Sequence, residues 1–179
     1  DLDSVSVTYG ATLPTITVPT KTGYTFGGYF DEPNGKGTKY YYSSGKGAVK
    51  WDKLKDATLY ARWTTAKYTV TLDNQGADTA GTDSVSVTYG ATLPTITVPA
   101  RTGYTFGGYF AEPNGKGTKY YYSSGKGAVK WDKAANTTLY AKWTPIKYTV
   151  TLDNQGATTK GTASVKVAFG AALPQIEVP

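Results

Sequence analysis

With a period of 80 residues, this chain writes the same text twice and begins a third time. Ser4-Val5-Ser6-Val7-Thr8-Tyr9-Gly10 returns as Ser84-Val85-Ser86-Val87-Thr88-Tyr89-Gly90, and Ser164-Val165-Lys166-Val167-Ala168-Phe169-Gly170 opens a third copy. Tandem copies must each bury the same core along one line. That organisation suits reach, spacing and multivalent contact better than a single reaction centre.

The register of the unit follows from strands and turns. Lys67-Tyr68-Thr69-Val70-Thr71-Leu72 comes after Trp63-Thr64-Thr65-Ala66, and Lys147-Tyr148-Thr149-Val150 after Trp143-Thr144-Pro145-Ile146, so a short junction precedes an alternating strand both times. The expected organisation is therefore a first repeat over 1–66 that lacks its first strand, a complete second repeat over 67–146, and the start of a truncated third over 147–179. The chain is expected to be a stretch of a longer array, with a two- or three-residue junction in which Pro145 fixes its own φ.

Tyr is 16 and Gly 21 of the 179 residues, and no stretch keeps a helical stripe for three turns. Strands are expected where apolar residues alternate: Tyr68, Val70 and Leu72; Val85, Val87 and Tyr89; Leu139, Ala141 and Trp143. Asp73-Asn74-Gln75-Gly76, Thr102-Gly103, Pro113-Asn114-Gly115 and Ser123-Ser124-Gly125 carry turn chemistry. One helical turn is expected at 130–136 and its twin at 50–56. The fold class is thus mainly β, α+β at most, built of small twisted sheets with at most one short helix each. A unit this small buries roughly 60% of its unfolded surface. Tyr104, Phe106, Tyr109, Phe110, Trp131 and Trp143, worth about 150–250 Å² each, must supply much of the core. Of the three consecutive tyrosines 120–122, at least one should face outward from a strand.

Histidine and cysteine are both absent, which removes the commonest general base and metal ligand together with thiol nucleophiles and disulfides. No enzyme is expected. A Ser-Lys pair drawn from Lys126 with Ser123 or Ser124 would sit in a hydrated Gly-rich turn. Gly115-Lys116-Gly117-Thr118 lacks the hydroxyl residue after Lys and the helix that a phosphate-cradling loop needs. Asp73, Asp78 and Asp83 could be sketched as a hard-cation loop, but the next copy has Thr158 and Ala163 for the last two, so an Asx-type turn is the preferred reading. Glu112 with Asp132, repeated as Glu32 and Asp52, are the best carboxylate pair for sugar hydrolysis, yet nothing nearby predicts a pocket. Leu-Pro-Thr at 13–15 and 93–95 lacks the context of a wall-sorting signal and reads as an internal turn or extended segment. No cofactor, metal or membrane insertion is expected of this stretch, which has no apolar run near the length of a span.

The chemistry that remains is a Lys/Tyr hairpin. Lys116, Lys119, Tyr120, Tyr121, Tyr122, Lys126 and Trp131, with Lys130 and Lys133 alongside, recur as Lys36, Lys39, Tyr40, Tyr41, Tyr42, Lys46 and Trp51. Lysines suit phosphate, sulfate or carboxylate, and a Tyr face stacks on a sugar ring. The competing reading is a solvated face that keeps an edge hairpin soluble. Nucleic acid is not expected, because a net charge of +6 is modest and spread through both copies.

Gly103-Tyr104-Thr105-Phe106-Gly107-Gly108-Tyr109, Thr138-Leu139-Tyr140-Ala141-Lys142-Trp143-Thr144 and Tyr68-Thr69-Val70-Thr71-Leu72-Asp73 together resemble the Listeria-Bacteroides repeat of bacterial surface proteins, whose members include the B-repeat of internalin B. The resemblance covers essentially the whole chain. It implies β-grasp-like modules in an extracellular array at the bacterial surface or cell wall, a spacer or stalk of an adhesin that contacts a host-cell or cell-wall protein or glycan. Tyr29 and Tyr109 stand where that family often has Trp, and the hairpin after Asn114 is longer. Residues 147–179 and 1–64 would each leave a sheet edge open, so self-association is expected, with Tyr148 to Leu152 donated to a neighbour's first unit.

Overall fold

A computed structural model describes residues 3–178, and its regular elements are almost all strands, joined by long irregular segments. In chain order these are β1 (Tyr24–Glu32), β2 (Lys36–Tyr41), β3 (Tyr60–Thr65), β4 (Lys67–Asp73), β5 (Ser84–Thr88), β6 (Tyr104–Glu112), β7 (Lys116–Tyr121), β8 (Thr137–Pro145), β9 (Lys147–Thr151) and β10 (Ser164–Ala168). Single turns of 3-10 helix at Pro33–Gly35 and Pro113–Gly115 reverse the β1–β2 and β6–β7 hairpins. Pro presets the first φ of each turn, and Asn34 and Asn114 take the left-handed conformation that follows, at φ 63° and 62°.

The chain divides into two compact units. One runs to Tyr68 and takes in Thr88–Gly90 and Asp132–Ala134; its sheet has the order β2-β1-β3. The other holds Thr69–Val87, Ala91–Trp131 and the chain from Ala135 onward, with a five-stranded sheet β5-β4-β8-β6-β7 and a separate β9-β10 hairpin. In the larger sheet β4 and β8 run parallel, Leu72 opposite Leu139 and Asp73 opposite Tyr140. β6 is antiparallel to both of its neighbours, β7 and β8.

Identical text takes different structure in different company. β4 and β9 share the sequence Lys-Tyr-Thr-Val-Thr, yet Val70 is 0% exposed and Val150 37%. β4 lies against β8, whereas β9 pairs with β10. Likewise β8 covers nine residues and β3 six, because the pairing with β4 begins at Thr137 and the counterparts at 57–59 have no such neighbour. Residues 4–8 form no strand, while their twins do in β5 and β10. Strand formation here is decided by cross-strand packing more than by intrinsic preference.

The core is aromatic, as expected, with Phe106, Tyr109, Phe110 and Trp131 buried and Tyr104 and Trp143 half-buried. Aliphatic residues that composition did not single out join it: Val70, Leu72, Val87, Leu93, Ile96 and Leu139. Gly108, at φ 112°, makes the bulge in β6, and a side chain there would collide with the Tyr121 carbonyl oxygen. The extra residue brings Phe106 and Tyr109 edge to face, 5.3 Å between centroids. Phe106 also packs on Trp143 at 5.5 Å.

Two expectations need correction. The segments 50–56 and 130–136 are not helical. Each is pinned in extended form, with the Trp51 and Trp131 amides donating to the Ala11 and Ala91 carbonyls at 3.0 and 2.9 Å and bridges at Thr12–Lys50 and Thr92–Lys130. Seven residues could not repay helix nucleation against such anchors. The junctions are also shorter than expected. One residue outside the strands, Ala66 or Ile146, separates β3 from β4 and β8 from β9.

Candidate functional site

β7 carries the Lys/Tyr hairpin, and its structure sorts the candidate residues into core and surface. Tyr120 and Tyr121 are 1% and 0% exposed, and Tyr40, Tyr41, Trp51 and Trp131 are buried in the same way. Both faces of the strand end are covered, so neighbouring tyrosines can be interior together. Tyr120 packs on Trp131 at 5.2 Å, while Tyr121 packs edge to face on Tyr109 at 6.3 Å and donates its hydroxyl to the Pro94 carbonyl at 3.0 Å. None of these rings offers a stacking face to solvent. Tyr122 and Tyr42 do, at 48% and 50% exposed. Lys36, Lys46, Lys116 and Lys126 are exposed around them. Lys39 and Lys119 lie half-buried, their ammonium groups 5.2 and 5.1 Å from the rings of Phe30 and Phe110. The surface that remains is a lysine fringe around one outward tyrosine per hairpin.

Burial pushes the Tyr121 and Tyr109 hydroxyls up to about 12, with Asp73 and Asp83 adding to the effect at Tyr109. The Tyr109 hydroxyl and the Trp131 indole N–H are buried without a hydrogen-bond partner. In the first copy the Tyr40 hydroxyl donates to Asp52 at 2.6 Å, and Lys53 pairs with Asp31 at 3.0 Å, which lowers the Asp31 pKa.

The other sketched chemistries resolve into turns. Asp73 accepts the Gln75 amide at 2.9 Å, Asp153 does the same for Gln155, and Asp78 accepts the Thr102 amide at 2.5 Å. That amide bond is the main cause of a lowered Asp78 pKa. Among the described residues no group of three acidic side chains is placed to hold a metal, and no helix is long and apolar enough to cross a membrane. Lys116 follows the 3-10 turn and enters β7. Glu112 and Asp132 are exposed. Leu13 and Leu93 are buried in extended chain.

The junctions hold what sequence reasoning did not single out. The Tyr89 ring sits so tightly over Gly23 that any side chain at 23 would overlap it, and it meets Tyr24 edge-on at 6.2 Å. Ala66 donates its amide to the Gly23 carbonyl at 2.9 Å and accepts the Tyr89 amide at 3.0 Å. The arrangement recurs: Phe169 covers Gly103 and meets Tyr104 at 5.7 Å, with Ile146 bonded to Gly103 and Phe169 at 2.8 and 2.9 Å. Gly23 and Gly103, at φ 76° and 78°, tolerate both the conformation and the approach. The recurring aromatic-Gly pair at 89–90 and 169–170 was the available signal.

Comparison with known proteins fits this repeated architecture. The Listeria-Bacteroides repeat domain matches the chain twice, over residues 2–62 and 68–142. The chain belongs to the Listeria-Bacteroides repeat domain family. Internalin H of Listeria monocytogenes is 38% identical to this repeat chain over 146 residues, covering 80% of it and 24% of Internalin H. A Gly-rich membrane protein of Evansella cellulosilytica is 27% identical over 164 residues, 87% of this chain and 18% of that protein. The repeat chain thus spans about a quarter or less of the length of these curated relatives. No solved structure matches it.

Proposed function

We propose that these Listeria-Bacteroides repeats are a non-enzymatic spacer: an array of β-grasp-like modules that holds an adhesive domain away from a bacterial surface. Membership of the family and the likeness to Internalin H support an extracellular setting. A mixed sheet whose first and last strands run parallel side by side supports the β-grasp-like reading of residues 67–146 as the repeating module.

The observation that carries the spacer reading is the junction clasp, in which an aromatic ring from one copy covers a glycine of the copy before it and a single linking residue is hydrogen-bonded on both sides. Such a joint resists pivoting, because opening it would bare an aromatic ring and strand two backbone polar groups. Amide ¹⁵N relaxation tests it. The Ala66 and Tyr89 amides should be as rigid as those of the flanking strands β3 and β4, and Tyr89→Ser should make them mobile; fast local motion there in the unaltered chain overturns the reading.

A second reading, binding of a glycan or anionic polymer by the hairpin fringe, has the outward Tyr42 and Tyr122 beside Lys46 and Lys126 in its favour. Tyr42→Ser with Tyr122→Ser should abolish any such binding without loss of fold.

A further inference from the structure

The unit that holds the five-stranded sheet carries a second polar surface, at the turn end of the β6–β7 hairpin and not at its Tyr122 end. It is a shallow groove of about 220 Å³ lined by Gln75, Arg101, Tyr104, Asn114, Lys142 and Trp143 beside Ala141. We propose that this groove is a subsite for one acidic sugar of an anionic glycan, with Arg101 and Lys142 engaging its carboxylate or sulfate and the aromatic side chains meeting its ring.

Each lining group is held in place. The Arg101 guanidinium lies 4.1 Å from the centre of the Tyr104 ring, and its charge also reaches Asp78, whose pKa it helps to lower. The stem of Lys142 runs over Gly107 and Gly115, where a side chain at 115 would collide with it, and its ammonium group sits 6.0 Å from the Phe110 ring. Trp143 donates its indole N–H to the Asn74 carbonyl at 2.8 Å and packs on Phe106, so its ring cannot swing. Gln75 sits at φ 51° with its amide bonded to Asp73. The neighbouring carboxylates of Asp73 and Asp78 both accept turn amides. Two cations, two side-chain amides and two half-buried aromatic rings are the groups that recognise a charged pyranose: paired charge for the anion, amides for hydroxyls, rings for the apolar sugar face.

The repeats add an independent argument. Where the second copy has Arg101 and Lys142, the first has Lys21 and Arg62: the identities exchange and both positive charges stay. Lys21 again lies over its tyrosine, Tyr24, at 4.3 Å. Charge is also kept, by identity, at Lys36 and Lys116, Lys39 and Lys119, and Lys46 and Lys126, whereas Asp31 becomes Ala111 and Lys55 becomes Ala135.

The test is titration of the ¹⁵N-labelled 179-residue chain with a galacturonate tetramer, its methyl-esterified neutral form, and acetate or sulfate at matched ionic strength. Shifts are expected to centre on Gln75, Arg101, Tyr104, Lys142 and Trp143 with the charged tetramer alone. Arg101→Gln with Lys142→Gln, made together with Lys21→Gln and Arg62→Gln, should weaken binding at least about tenfold. Tyr122→Ser with Lys126→Gln, at the other end of β7 from Asn114, should leave it unchanged, which separates this groove from the hairpin fringe. The proposal is overturned if the tetramer causes no shifts, if the neutral tetramer or the simple anions bind as well, or if the shifts gather on the hairpin. The shift map decides even if the quadruple variant fails to fold.

Discussion

At the scale of single residues, two positions carry most of the account. Gly103 is pinned twice, by its left-handed φ and by the Phe169 ring above it. Gly103→Ala should therefore cost about 2 to 5 kcal/mol, combining ~1–2 for an L-residue in that conformation with ~1–3 for overpacking. In a Phe169→Ala background the second part disappears, so thermal unfolding of the four proteins in a double-mutant cycle should show a smaller cost of Gly103→Ala there. Equal costs in both backgrounds would mean that the ring does not rest on the glycine. Tyr109 is the other case. Its buried hydroxyl has no partner, so Tyr109→Phe should be neutral or stabilising, by up to about 1 kcal/mol. Because the folded chain holds Tyr109 and Tyr121 up to about 12 against an ordinary 10.0, their stabilising contribution is complete below pH 10 and is lost as pH rises toward 12. Urea midpoints at pH 8, 10 and 11 should fall, and fall less in Tyr109→Phe.

Among the elements, the open edge of β3 is the most consequential. β4 shows how β8 is completed, and β9 repeats the start of β4 in sequence with Val150 exposed. In solution β9 of one copy should therefore lie parallel to the segment 57–60 of another, Leu152 opposite Leu59 by analogy with Leu72 and Leu139. Analytical ultracentrifugation should show concentration-dependent association, and Thr151→Cys with Thr58→Cys should trap an intermolecular disulfide; a monomer at all concentrations contradicts this pairing. The strands themselves were legible, since alternation at 68–72, 85–89 and 139–143 marks β4, β5 and β8 closely. What sequence could not convey was context. The same Lys-Tyr-Thr-Val-Thr is core in one place and surface in another, and of the run Tyr120-Tyr121-Tyr122 the sequence says that at least one ring faces outward but not that both of the others are buried. The groove at Arg101 and Lys142 was illegible for the same reason: its lining is spread from position 75 to 143, and only the sheet brings it together.

For the whole molecule, the proposed spacer role rests on how firmly one copy is joined to the next. Proline was expected to limit the junction, yet Thr65 and Ala66 hold the first junction without one, and the shared device is the aromatic clasp with its two backbone hydrogen bonds. Pro145→Thr should therefore leave the second junction nearly as stiff, whereas Phe169→Ser should loosen it, as amide hydrogen exchange at Ile146 and Phe169 would report. A spacer needs a defined span more than a tight pocket. The most direct measurement is amide hydrogen exchange at Ala66 and Tyr89, the two amides whose bonds close the first clasp. Protection at both amides like that of the strand interiors, lost in Tyr89→Ser, is the predicted result; unprotected amides there in the unaltered chain would contradict it.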